Sequence, residues 1–222
     1  MSRKTSRGWP RRLRRTNDES YGLSVRITGV IQAGGRSTRM GGEPKALLEL
    51  GGKRIVERVV DALGAVLADL LVVTNTPERY AFLGLPMVAD RYSDGGALGG
   101  IFTGLDAARG DAAFTVACDM PFLSPDVMRL VLARAGEADV VIPRVDGQYE
   151  TMHALYTKSC RPAMETRLRA RQLKIVGFFP DVRVLEIAAA AVARHRAPEI
   201  AFMNVNTPDE LARARALAAQ VG

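Results

Sequence analysis

Short apolar runs, each closed by a polar or small residue, constrain this chain more than any other feature. VRITGVIQ (25–32) is rich in β-branched residues and stops at Ala33-Gly34-Gly35. LLVVT (70–74) stops at Asn75-Thr76-Pro77, the run 86–89 at Asp90, and the run 112–118 at Asp119; DVVIP (139–143) reads as a fifth strand. Near-continuous apolar runs are what parallel strands buried on both faces require. Helical patterns lie between them. Arg54–Leu67 has apolar residues at helical spacing, with Arg54, Glu57, Arg58 and Asp61 on the other side. Pro77 opens a second helix, Leu98–Arg109 is a third, and Ser124-Pro125-Asp126 starts a fourth, with Ser as N-cap and Pro at N1. This alternation predicts βαβ units with right-handed crossovers. Beyond residue 143, Glu150–Tyr156 reads as a strand, Lys158–Leu168 as a helix and Val182–Ile187 as a strand. Thr207-Pro208-Asp209-Glu210 opens the last helix with a capping box. The fold class expected is α/β: a single Rossmann-like domain, with a mostly parallel sheet flanked by helices.

The chain has 222 residues and a net charge of +7, unevenly spread. Residues 1–22 carry seven Lys/Arg and two Asp/Glu; the remaining 200 carry 24 and 22. We expect 1–22 to be a basic, disordered extension and 23–222 to be the folded domain. The extension is either a solvated tail, an upstream translation start, or a contact for RNA or anionic lipid. Its paired arginines are not followed by the apolar stretch of about 7–15 residues that an export signal needs. No run reaches the roughly 20 apolar residues of a membrane span. Cys118 and Cys160 form no CxxC pair, which fits a reducing compartment and argues against both a disulfide framework and a zinc site. A soluble, cytoplasmic protein is expected, with no membrane partner and little case for nucleic acid.

In an open parallel sheet, ligands bind beyond the carboxyl ends of the strands. There this sequence puts Gly34-Gly35 and a basic loop, then Asn75, Asp90 and Asp119. The loop, AGGRSTRMGGEPK (33–45), combines four glycines with Arg36, Arg39 and Lys45. Glycine lets backbone N–H groups approach a phosphate, and Lys45 adds a point charge. The spacing fits neither a P-loop nor a G-x-G-x-x-G fingerprint. A surface turn with solvated arginines is the other reading. Asp119 closes an apolar strand and suits Mg²⁺ with substrate phosphates, or serves as a turn residue. The cluster Gly95-Gly96-Ala97-Leu98-Gly99-Gly100 admits either a flat nucleobase or close helix–sheet packing. Cys118 is expected to fill the core, His153 to be a packed residue rather than a base, and His195 to sit on an exposed helix without a role.

AGGRSTRMGGEPK, Asp90, GGALGG, ACDMPFL and NVNTPDEL occur in the order and spacing seen in molybdenum cofactor guanylyltransferases, within the nucleotidyltransferases of the AGGxSxRMGxxK type. The resemblance runs over about residues 26–218. It implies transfer of GMP from GTP to molybdenum-bound molybdopterin, with release of pyrophosphate. It implies that Gln32, Ala33, Gly34, Gly35, Arg39 and Gly42 contact GTP, that Lys45 binds its phosphates, and that Asn75, Asp90, Gly96 and Gly100 hold the nucleoside. It further implies that Asp119 binds Mg²⁺, which with Lys45 carries the catalysis, and that Asn204 and Asn206 face molybdopterin. Molybdopterin-handling proteins and a recipient molybdoenzyme would be partners. Gln32 stands where the family usually has leucine, and Ala97 where it usually has proline. The competing readings are a cytidylyltransferase or other nucleotidylyltransferase, and a non-catalytic carrier of nucleotide or cofactor.

Overall fold

The computed structural model describes residues 25–34, 44–92 and 94–221. The basic extension, and the stretch with Gly35, Arg39 and Gly42, lie outside the described residues. The chain runs β1 (Ile27–Gln32), a hairpin of β2 (Glu49–Leu50) and β3 (Lys53–Arg54), α1 (Ile55–Gly64), β4 (Leu70–Val73), β5 (Met87–Val88), α2 (Gly96–Ala107), β6 (Ala112–Ala117) and α3 (Pro125–Leu132). It continues with β7 (Val140–Val145), β8 (Gln148–Tyr149), β9 (His153–Thr157), α4 (Arg161–Arg169), β10 (Val184–Ala188), α5 (Ala189–Ala193), α6 (Pro198–Ala201) and α7 (Pro208–Val221). The main sheet has the order β10-β7-β9-β6-β1-β4-β5, with β8 on β7. β6, β1, β4 and β5 run parallel; β9 is antiparallel to both β6 and β7, so β7 and its parallel neighbour β10 run with β6. The expected α/β class, with a mostly parallel sheet between helices, is what forms.

Alternation along β1 explains the layering. Ile31 packs with α1 and α3 residues such as Val59 and Val127; Val30 packs with α2 and α4 residues such as Ile101 and Met164. On the α2 face the helix comes close because it carries glycine. A Cβ on Gly104 would lie 2.4 Å from Val30 Cγ1, and one on Gly100 would lie 2.5 Å from Gln32 Oε1. A third, smaller cluster joins Leu50 and Ile55 to Met203, Val205, Leu211 and Ala214, and so pins α7 to the β2–β3 hairpin.

The structure departs from expectation in four places. The helix expected from Pro77 is two 3-10 turns, Pro77–Arg79 and Ala81–Leu83, because Gly84 takes a left-handed φ of 63° and stops the run. The strand expected from Glu150 begins at His153. Asp146 and Gly147, both with positive φ, make a tight turn, and β8 pairs back on β7 before the chain reaches β9. Gly51 and Gly52 turn the β2–β3 hairpin likewise. His195 lies in an exposed turn after α5, not on a helix. Other expectations hold. Ser124 Oγ accepts the Val127 N–H at 3.4 Å, and Thr207 with Glu210 forms the reciprocal cap of α7, at 2.9 and 3.2 Å. Cys118 is half-buried against the α1–α3 side of the core, and both cysteines are free.

His153 is fully buried, edge-on to the rings of Phe114 and Phe202 at 5.1 and 5.0 Å, and neither ring nitrogen has a partner among the described residues. Burial pushes its pKa down from 6.5 to about 3. The folded state therefore resists protonation that the unfolded chain accepts. Stability present above pH 6.5 is lost as pH falls towards about 3. His153→Leu should flatten this acid loss; urea midpoints at pH 7.5 and 5 would show it as a smaller difference than in the wild type. Gly104→Ala should cost about 1–3 kcal/mol by overpacking against Val30. Gly177→Ala, where a Cβ meets nothing within 4 Å, should stay within about 0.5 kcal/mol. Equal urea midpoints for the two variants would remove close α2–β1 packing as the reason for Gly104.

Candidate active site

The carboxyl ends of β5, β4, β1, β6, β7 and β10 share one rim, and the polar residues picked from sequence fall along it in that order. At the β4–β5 end, Asn75 Oδ1 accepts the Asp90 N–H at 2.8 Å. Asp90 Oδ1 in turn accepts the Tyr92 N–H at 3.0 Å and the Thr103 hydroxyl at 2.9 Å. Asn75 and Asp90 thus brace the loop that leads into α2. Gly95 and Gly99 lie against Tyr92, where a Cβ would be 2.8 and 2.9 Å from its atoms, so they serve close packing. Gly96 does not: it is exposed, with φ 55° and open space where a Cβ would be. Gly100 is covered by the Gln32 side chain. The cluster therefore divides, three glycines packing and one facing out.

At β1, the Ala33 N–H is held by Val73 O at 2.9 Å and the Gln32 carbonyl accepts the Cys118 N–H at 3.0 Å. These bonds fix the spacing of β4, β1 and β6 where the glycine loop departs. A Cβ on Gly34 would meet no described residue within 4 Å, which leaves its backbone open on that side among the described residues.

The centre of the rim joins residues far apart in sequence. Lys45 is buried, with 9% of its surface exposed, and its Nζ donates to Asn206 Oδ1 at 2.9 Å. The Val205 N–H donates to Asp119 O at 3.0 Å, holding the Asn204–Asn206 segment against the turn after β6. Burial raises the Asp119 carboxyl above the usual carboxylate range; Lys45 opposes the shift and Glu210 adds to it. Glu210 is anchored by the N–H groups of Asn206 and Thr207 at 2.5 and 2.9 Å. Lys45, Asp119 and Asn206 are therefore brought together. Asn204 is not joined to them by a hydrogen bond: its amide donates to Phe202 O at 3.3 Å. Two residues that sequence reading passed over belong here. Glu210, visible there only as a cap residue, adds a small push to the burial that raises the Asp119 carboxyl. Arg58, legible only as the polar side of a helix, donates to Leu50 O at 3.3 Å and Pro121 O at 3.4 Å and ties the hairpin to the Asp119 turn.

A lone part-buried carboxylate beside a lysine suits a divalent cation that takes its remaining oxygens from phosphates and water. No cluster of three His, Cys, Asp or Glu able to hold a metal by itself occurs among the described residues. No described helix is long and apolar enough to cross a membrane. Further along the rim, beyond β7 and β10, an open groove of about 580 Å³ is lined by Asp146, Glu150, Ala189, Glu199 and Phe202, among others.

The MobA-like NTP transferase domain matches residues 29–178. A protein of Pelotomaculum thermopropionicum described as a probable molybdenum cofactor guanylyltransferase is 40% identical, over 87% of this chain and 94% of its own length. One of Carboxydothermus hydrogenoformans with the same description is 38% identical, over 82% and 91%. The crystal structure of molybdopterin-guanine dinucleotide biosynthesis protein A from Archaeoglobus fulgidus superimposes with a TM-score of 0.75 at 24% identity, covering 87% of this chain and 99% of that one, which speaks for the fold. The chain belongs to the molybdenum cofactor guanylyltransferase family of MobA-like nucleotidyltransferases.

Proposed function

We propose that this protein transfers GMP from GTP to molybdenum-bound molybdopterin and releases pyrophosphate. The observation that carries the reading is the Lys45–Asn206 hydrogen bond beside Asp119. It joins a phosphate-type cation from the nucleotide side of the chain to an amide from the C-terminal segment, at a carboxylate suited to a metal. A reaction between two anions needs such a meeting point.

In the proposed reaction an oxygen of the molybdopterin phosphate forms a bond to the α-phosphorus of GTP. The bond from that phosphorus to the bridging oxygen breaks, and its electron pair leaves with pyrophosphate. The attacking phosphate is already ionised at neutral pH, so the chain needs to supply no general base. Lys45 offsets the repulsion between the two anions, and its bond to the neutral Asn206 amide holds the side chain in place beside Asp119. The Gly34 backbone can approach the triphosphate. Mg²⁺, held by Asp119 and phosphate oxygens, would supply further charge neutralisation and Lewis acidity. Positioning and electrostatics then furnish most of the rate, as in phosphoryl transfer generally.

The order of the rim supports the same reading. Asn75, Asp90 and Gly96 offer a nucleoside end, Lys45 and Asp119 a phosphate centre, and the groove past β7 an acceptor end. The segment from Phe202, on the groove wall, to Asn206, on Lys45, spans at most about 13 Å when extended. A pterin has an amino–amide edge that a carboxylate such as Glu150 can receive and a ring that can lie on Phe202.

Pyrophosphate release with Mg²⁺ and molybdenum-loaded molybdopterin should occur with GTP. Lys45→Ala should lower kcat/KM for GTP about 10²–10³-fold; an unchanged value would remove Lys45 from the mechanism. Asp119→Asn should abolish Mg²⁺-dependent release without unfolding the chain. Because the folded-state pKa is raised, the ionised form opposes folding, and the stability Asp119 contributes at low pH is lost as pH rises through that pKa. The variant should therefore match or exceed wild-type resistance to urea above pH 7. A large drop in its midpoint would make Asp119 a structural turn residue instead. Nucleotide binding without pyrophosphate release from any nucleotide would favour the carrier reading.

A further inference from the structure

Gln32 closes β1, the strand from which the sheet is extended in both directions, by β4 on one side and β6 on the other. Such a reversal point opens a crevice at the carboxyl ends of the strands. The Gln32 side chain is 9% exposed, and its Nε2 is buried with no hydrogen-bond partner among the described residues. An amide held this way destabilises the free protein, and a leucine would fill similar space without that penalty. Two positions earlier on the same face, Val30 is apolar and fully buried. No described residue pairs with this polar group, so its partner is to be sought in a ligand.

The neighbourhood identifies the ligand. The amide lies over Gly100 in the first half of α2, on the rim that also carries Asn75 and Asp90. Only glycine at position 100 leaves it this room: a Cβ there would be 2.5 Å from Oε1 and 2.8 Å from Cδ. A carboxamide offers a donor and an acceptor side by side, which matches the edge of a nucleobase. Resting on the nucleotidyl transfer proposed above, we infer that the Gln32 carboxamide reads the base of the bound triphosphate, donating from Nε2 to guanine O6 and accepting the guanine N1–H at Oε1. Gln32 is then a specificity-determining residue, and Gly100 the residue that lets it turn towards the base.

Binding of GTP, ITP, ATP and CTP by the full chain, measured calorimetrically with Mg²⁺, tests this. ITP keeps O6 and N1–H, whereas ATP and CTP present the reversed or a displaced pattern. Gln32→Leu should weaken GTP and ITP about tenfold or more and leave ATP and CTP nearly unchanged. It should raise KM for GTP and spare kcat, since the base is remote from the reacting phosphorus. Without nucleotide it should be at least as stable to urea as the wild type, so the loss is not one of folding. Gly100→Ala should weaken GTP through the same amide, and adding it to Gln32→Leu should produce less further loss than it does alone. An equal loss for all four nucleotides, or none, would overturn base reading and leave Gln32 a packing residue, with the transferase reading intact. Failure of the wild type to bind any nucleotide would remove both.

Discussion

The bond between Lys45 and Asn206 is the constraint on which the rest of the site depends. It spans 161 residues of sequence and places a buried ammonium next to a part-buried carboxylate. A lysine so enclosed loses hydration and must be held by hydrogen-bonding neighbours. The neighbours come from the far end of the chain. The small core of Leu50, Ile55, Met203, Val205, Leu211 and Ala214 clamps α7 to the β2–β3 hairpin. The Val205 N–H fastens the same segment to the Asp119 carbonyl, and Arg58 fastens the hairpin to the Asp119 turn. Apolar packing therefore supplies the rigidity, and the polar contacts are set on top of it.

Much of this was legible in sequence, and the part that was not has a physical reason. Parallel strands buried on both faces show as apolar runs, so β1, β4, β6 and β7 could be placed, and with them Gln32, Asn75, Asp90 and Asp119 on one rim. The caps of α3 and α7 are local and were readable from Ser124 and from Thr207 with Glu210. The Gly51-Gly52 and Asp146-Gly147 turns also carry a local signal, yet the strands they join are two residues long and show no periodicity. The turn of Pro77–Leu83 begins as a helix would, and only the left-handed Gly84 shows that it cannot continue. Lys45 and Asn206 were each visible as polar residues in suggestive motifs, one on each side of the reaction. Their contact was not, because nothing local encodes a pairing made by the packing of α7.

The second glycine cluster meets the packing reading at three of its four glycines. Gly95 and Gly99 bring α2 against Tyr92, and Gly100 brings it against Gln32. Those contacts are structural, and they explain why the segment stays helical despite its glycines. Gly96 meets no described residue within 4 Å of a Cβ, and the same close packing draws the helix start up to the β4–β5 end of the rim.

The two ends of the sheet treat polar groups differently, and the difference locates function. At the amino end, the Thr28 hydroxyl donates to Asp69 at 2.7 Å and accepts the Gly110 N–H at 3.2 Å, while Asp111 accepts the Arg26 N–H at 3.2 Å. Each group completes another, which is the pattern of residues that serve only the fold. At the carboxyl end, Asp119 carries a charge that burial opposes, and Gln32 holds an amide nitrogen that nothing among the described residues meets. The His153 nitrogens are also without a partner among the described residues, but the ring is sealed between Phe114 and Phe202. The distinction between an orphaned core residue and a waiting contact therefore rests on access as well as on pairing. Gln32 ends β1 at the rim and Asp119 is part-exposed beside it, so under the proposed reaction their local disadvantage is one that a ligand at the rim would remove.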